Sequence, residues 1–156
     1  MHVRLPAQGE VDDGSVARDL MQPAADIVFI SGHDTELAQL AAAHAGLGRD
    51  APSLALTNFQ ALGHPLSVDL YVERTLAQAR LVVLRLLGGA SYWPHGVERL
   101  VEWARAVPGA SLAMVPGDAS WNEAFAARGS MDLSDTRMLW RYLNEGGSEN
   151  ACQALS

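Results

Sequence analysis

Residues 64–96 read HPLSVDLYVERTLAQARLVVLRLLGGASYWPHG, a predicted helix followed by a predicted strand. Apolar side chains recur every three or four residues over 68–79, which is the spacing of one buried helix face. Ser67 precedes this pattern and is the expected N-cap, because its hydroxyl can accept a backbone N–H there. The strand covers 81–87 and is apolar except for Arg85. Such continuity is typical of a parallel strand that is covered on both faces.

Two glycines, Gly88 and Gly89, follow this strand and let the backbone turn sharply. In open α/β sheets, ligands bind at the carboxyl ends of the strands. The residues that follow the glycines are therefore the first candidates for a functional site.

Strands and helices alternate on both sides of this stretch. Such alternation indicates βαβ units, so the sequence predicts a three-layer α/β fold with a mostly parallel sheet of about four strands. Its winding is flavodoxin-like or Rossmann-like. The further strands are predicted at 26–31, 53–57 and 111–115, and the further helices at 34–44, 94–106, 122–128 and 135–144.

The chain divides into three predicted parts. Residues 1–22 are expected to form an irregular arm or an edge strand, because they are polar and rich in turn signals. Residues 23–147 form the α/β domain, which is long enough to bury a core of its own. Residues 148–156 are expected to begin a further helix.

Composition excludes several functions. The net charge of −7 argues against nucleic-acid binding through phosphate contacts. All 11 basic residues are arginine, which removes a phosphate-loop lysine and a Schiff-base lysine. The single cysteine, Cys152, excludes an intramolecular disulfide. We find no signal peptide and no run of about 20 apolar residues, so we expect a cytoplasmic protein without a membrane segment.

The turn after the first strand lacks a cofactor fingerprint. It contains Gly32 alone, whereas a dinucleotide site of the Rossmann type needs three glycines. The patterns Gly-x-x-x-x-Gly-Lys-Ser/Thr and Gly-x-Ser-x-Gly are also absent. We therefore expect no cofactor to be bound by this chain alone.

Two pairs of residues have the spacing of metal ligands. His33 and Glu36 are three residues apart, and so are His95 and Glu98, so each pair would share one helix face. This spacing also arises often by chance, and capping or solvated pairs are the simpler interpretation. Both pairs are weak metal candidates.

Arg85, Tyr92 and Trp93 are the candidate ligand contacts near the end of the central strand. A buried arginine must be paired or face a cavity, but Arg85 could equally reach solvent at the sheet edge. Tyr92 and Trp93 could stack on a flat ligand. Packing of Trp93 on the helix that starts at Pro94 is the favoured alternative for that residue.

Several blocks of the sequence resemble a known family, the large subunit of aerobic cobaltochelatase. The blocks are HPLSVDLYVE at 64–73, RLLGG at 85–89 and YWP at 92–94, together with PAADIVFIS at 23–31 and LWRYL at 139–143 followed by GGSEN. The resemblance covers nearly the whole chain and is to the amino-terminal region of that subunit. That subunit is related to the porphyrin-binding large subunit of magnesium chelatase.

The resemblance implies a part in cobalamin biosynthesis. The family's large subunit binds the corrin precursor hydrogenobyrinic acid a,c-diamide and inserts cobalt(II) with two smaller motor subunits that use ATP and magnesium. The family's subunit is far longer, so the remaining domains of the large subunit are also expected partners. This chain alone is then not expected to be catalytic, and the resemblance assigns no catalytic residue within it.

Under this resemblance, Arg85 is expected to pair with a corrin carboxylate, since a guanidinium matches a carboxylate bidentately. Tyr92, Trp93 and His64 are expected to line the same edge. Two alternatives remain: a scaffold that only contacts other domains, and a stand-alone regulatory domain for a small ligand.

Overall fold

The computed structural model describes residues 20–48 and 50–145, which fold around one parallel sheet. Its four strands lie in the order β2-β1-β3-β4, and every neighbouring pair is parallel. The strands are β1 (Ile27–Ser31), β2 (Leu54–Asn58), β3 (Leu81–Leu86) and β4 (Ser111–Pro116). The predicted α/β class and parallel sheet are confirmed.

Five α-helices connect or flank the strands in the described ranges. They are α1 (Asp34–Ala45), α2 (Pro65–Arg74), α3 (Pro94–Ala106), α4 (Glu123–Ala126) and α5 (Leu133–Glu145). Short 3₁₀ turns occur at Phe59–Leu62, Thr75–Gln78 and Ala90–Tyr92. No helix among the described residues is both long enough and apolar enough to cross a membrane.

The sheet separates two apolar layers because successive side chains of a strand point to opposite faces. Val28 and Ile30 of β1 face the layer that α2 and α3 cover, whereas Phe29 faces the layer that α1 and α5 cover. In β3, Val82 and Leu84 belong to the first layer. Burial on both faces explains why these strands are apolar at almost every position.

The helix α2 begins earlier than the sequence pattern predicted. His64 is its N-cap, with Nδ1 accepting the Leu66 N–H at 3.1 Å, and Pro65 occupies the first helical position. Ser67 is buried inside the helix, so its predicted role as N-cap is wrong. Proline suits the first turn because its missing N–H would have no partner there. The predicted last turn of this helix is a 3₁₀ turn instead.

Gln22 joins the domain although the sequence placed it in the amino-terminal arm. Its Oε1 accepts hydrogen bonds from Thr57 Oγ1 at 2.7 Å and from the Tyr71 hydroxyl at 2.8 Å. Its Nε2 donates to Leu56 O, and its carbonyl accepts from Thr75 Oγ1. The domain therefore includes this residue. The rest of the predicted arm up to residue 19, and the predicted helix at 148–156, lie outside the described residues.

Replacing Tyr71 by Phe should lower the free energy of unfolding by about 1–2 kcal/mol, because the buried hydroxyl loses its hydrogen bond to Gln22 Oε1. Urea unfolding of the variant measures this loss. Tyr92→Phe is the matched control, since Tyr92 is 69% exposed and should change stability by less than about 0.5 kcal/mol. Equal effects of the two substitutions would contradict a stabilising role for the Gln22 contacts.

Candidate functional site

The carboxyl ends of β1 and β3 form the switch point of the sheet. From β1 the chain crosses to β2 on one side, and from β2 it returns past β1 to β3 on the other. In folds of this kind, ligands bind in the crevice at such a point. Ser31 and Arg85 stand in register at these two strand ends, so both lie at this switch point.

Arg85 is buried at this point and ion-paired. Its side chain is 4% exposed, and Nη1 donates to Glu36 Oε2 of α1. Nη2 donates to Asn144 Oδ1 of α5 at 2.6 Å. Of the two interpretations of Arg85, the paired one is therefore confirmed, and one side chain links β3 to both helices of the same layer.

Glu36 is held by more than its ion pair. Its side chain is 13% exposed, and Oε1 accepts from Ser31 Oγ at 3.4 Å. Burial raises the pKa of the Glu36 carboxyl above its ordinary value, and the charges of Arg85 and His33 oppose that rise. Burial also lowers the pKa of Arg85, but a guanidinium stays protonated in proteins. The two side chains therefore form a desolvated ion pair close to the surface.

His33 completes the group. Its Nδ1 lies 3.4 Å from Ser31 Oγ, and its backbone N–H donates to the same oxygen at 3.1 Å. We call Ser31, His33, Glu36, Arg85 and Asn144 the switch-point cluster. It combines an acid, a base, a cation and two neutral polar groups at the switch point.

Two side chains near the carboxyl end of α5 donate hydrogen bonds to the loop after β4. Asn144 Nδ2 donates to Asp118 O at 3.3 Å, and Trp140 Nε1 donates to the same carbonyl at 3.1 Å. Both ends of the Asn144 amide are therefore used, one for Arg85 and one for the loop after β4. No motif in the sequence pointed to Asn144 as a functional residue.

One hydrogen-bond donor in the cluster has no partner. Arg85 Nε is buried and makes no hydrogen bond within the part of the chain that the structure describes. A buried donor without an acceptor costs free energy of about 1–3 kcal/mol. Arg85 therefore has the capacity to bind one more acceptor beside Glu36 and Asn144.

Trp93 and His64 do not belong to this cluster. Trp93 is 5% exposed, its Nε1 donates to Leu62 O at 3.0 Å, and its ring lies 6.0 Å from that of Phe59. It packs in the layer under α2 and α3, so the sheet separates it from Arg85. Trp93 therefore has the environment of a packing residue. His64 caps α2 through Nδ1.

Tyr92 lies on the surface at the same end of the sheet. It is 69% exposed, and its ring lies against Gly88, where a Cβ would overlap it. Gly88 has a φ of +83°, a conformation that side-chain-bearing residues rarely adopt. The position of Tyr92 therefore depends on that glycine.

Three of the four candidate metal ligands have hydrogen-bond partners of their own. His33 and Glu36 both contact Ser31, whereas His95 Nε2 lies 3.0 Å from Asp69 Oδ1. Glu98 lines a groove of about 550 Å³ between α3 and the turn that follows α4. The described residues contain no group of three or more His, Cys, Asp and Glu side chains that could hold a metal ion. Both metal assignments remain predictions.

Replacing one member of the Arg85–Glu36 pair should cost more than replacing both. Glu36→Met leaves a buried guanidinium that cannot lose its proton, so we expect a loss of about 3 kcal/mol or more. Arg85→Met should cost less, because the remaining carboxyl can take up a proton. The double variant should unfold within about 1 kcal/mol of the wild type.

Urea unfolding of the four proteins gives the coupling energy. Arg99→Met is the control, since Arg99 pairs with Asp69 at the surface between α2 and α3. Additive losses in the double variant would contradict a coupled pair.

Comparisons with known proteins agree on one relationship. The chain is 42% identical over 151 residues to the aerobic cobaltochelatase subunit CobN of Sinorhizobium sp., and 43% identical over 154 residues to that of Pseudomonas aeruginosa. These matches cover 97% and 98% of this chain but 12% of each relative, so the chain spans about an eighth of their length. No family model matches.

A solved structure has the same fold. The catalytic subunit of cobaltochelatase from Mycobacterium tuberculosis superposes with a TM-score of 0.65 over 85% of this chain and 10% of that one. At 21% identity, this likeness supports the fold alone. The sequence relatives carry the assignment: over nearly its whole length, the chain is homologous to the amino-terminal region of the large subunit of aerobic cobaltochelatase.

Proposed function

We propose that this chain serves as the amino-terminal domain of the large, corrin-binding subunit of an ATP-dependent cobaltochelatase. In that role it supports the insertion of cobalt(II) into hydrogenobyrinic acid a,c-diamide during cobalamin biosynthesis, without being catalytic by itself. The observation that carries the proposal is the 42–43% identity to CobN subunits over nearly the whole chain. The remaining domains of the large subunit, the two motor subunits and the corrin precursor are the proposed partners.

ATP hydrolysis is assigned to the motor subunits. The chain contains no lysine and no phosphate-loop pattern, so it lacks the group that cradles the β- and γ-phosphates in such ATPases. ATP, magnesium and cobalt(II) then belong to the whole complex, with cobalt(II) as a substrate.

The switch-point cluster is the proposed contact with the macrocycle. Arg85 lies at the switch point, where this type of fold binds ligands, and its buried Nε has no acceptor among the described residues. A carboxylate at the rim of the corrin would accept a charge-assisted hydrogen bond from this guanidinium. In this arrangement Glu36 holds Arg85 in place, and Asn144 links the guanidinium to α5.

A scaffold is the second candidate function, and the burial of Arg85 favours it. With 4% of its side chain exposed and both terminal nitrogens occupied, Arg85 already serves a purpose inside the domain. In the scaffold account, the cluster only fixes α1 and α5 on the sheet.

The double variant Glu36→Met/Arg85→Met separates the two functions, since it removes the charges while keeping the packing volume. It is introduced into a complete large subunit that carries this chain and is assayed with the motor subunits. We expect the KM for the corrin precursor to rise about 10-fold or more, the effect of losing one hydrogen bond to a charged group, and the KM for cobalt to stay unchanged.

Arg99→Met is the control and should leave both constants at the wild-type values. A corrin KM within about twofold of the wild type in the double variant would reject the substrate contact and leave the scaffold.

A further inference from the structure

Three exposed apolar side chains follow strand ends at the same end of the sheet. Leu66 is 50% exposed, Leu87 is 57% exposed and Tyr92 is 69% exposed. They follow the carboxyl ends of β2 and β3, at the start of α2 and in the connection to α3. We call Leu66, Leu87 and Tyr92 the edge patch.

The edge patch is unusual within the described surface. Five large apolar side chains there are at least half exposed, and three of them form the edge patch. The other two, Met21 and Met138, lie before β1 and along α5. Single exposed apolar residues need no explanation, but a group at one edge marks a contact surface.

Trp93 fixes the two loops that carry the edge patch to one another. Its indole N–H reaches across to Leu62 O at 3.0 Å, and its ring packs on Phe59. Phe59 and Leu62 belong to the loop before α2, whereas Trp93 belongs to the loop before α3. Leu66 and Tyr92 are therefore carried by one packed unit.

Glycines fix the outer part of the patch. Gly88 and Gly89 have φ values of +83° and +87°, so the turn after β3 has a shape that few other residues can adopt. The Tyr92 ring lies against Gly88 and still leaves most of its surface exposed. The patch is thus preformed, which lowers the entropy cost of binding a partner.

We propose that the edge patch is the docking surface for another domain of the same large subunit. This inference rests on the proposed function, because the chain matches about an eighth of its relatives and most of such a subunit lies elsewhere. The three side chains carry no charge, so they suit an apolar protein surface rather than the carboxylates of a corrin. The patch would form the apolar centre of an interdomain contact, whose usual extent is about 600–1,500 Å².

Cysteine labelling in the complete large subunit tests this inference. Leu66→Cys, Leu87→Cys and Tyr92→Cys are made one at a time and treated with a maleimide, and peptide mass spectrometry follows the rate at each site. Leu47→Cys and Val107→Cys are the controls, since Leu47 is 40% exposed and Val107 is 38% exposed at the opposite end of the sheet. We expect at least 10-fold slower labelling at the three patch positions, and equal labelling at all five in denaturant.

Labelling of the patch as fast as the controls would overturn the inference. Protection that depends on the corrin precursor, on the motor subunits or on the subunit concentration would also overturn it, because the cover would then be a ligand, another subunit or a second copy. Protection in the subunit alone, together with an unchanged corrin KM in the Glu36→Met/Arg85→Met variant, would retain the docking surface and reject the substrate contact.

Discussion

The buried ion pair between Arg85 and Glu36 is the interaction on which the carboxyl edge of this domain depends. A guanidinium that is 4% exposed must be compensated, and Glu36 and Asn144 provide the described contacts. These partners come from α1 and α5, so satisfying one charge fixes two helices on the sheet. Apolar residues could fill the same space with an equal or higher free energy of unfolding. A role beyond stability therefore explains the charged pair better.

The carboxyl edge presents two different surfaces because the sheet separates two layers. On the side of α1 and α5, the switch-point cluster is charged and tightly hydrogen-bonded. On the side of α2 and α3, Trp93 joins two loops beneath an apolar patch. A charged cluster suits a small polar group, whereas an apolar patch suits another protein surface. The two proposals for this domain therefore concern separate surfaces and can succeed or fail independently.

The sequence predicted the sheet well, because strands covered on both faces are apolar at almost every position and helices alternate with them. It also singled out Arg85, since a charge in such a strand is unusual. It could not identify the partners, because Glu36 lies 49 residues and Asn144 lies 59 residues away along the chain. The position of the Trp93 side chain depends in the same way on Leu62, which lies 31 residues away along the chain. The wrong N-cap prediction at Ser67 has a local cause. His64 and Pro65 start the helix three residues earlier, although Ser67 is a good capping residue.

The family relationship came from long blocks of sequence and not from any one site, and the relatives support it over nearly the whole chain. The central claim is that the switch-point cluster contacts the macrocycle. A structure of the complete large subunit with the corrin precursor bound tests it most directly. The account predicts a substrate carboxylate within hydrogen-bond distance of the Arg85 guanidinium. A macrocycle bound far from Arg85, with Glu36 and Asn144 as the only partners of the guanidinium, would contradict this account.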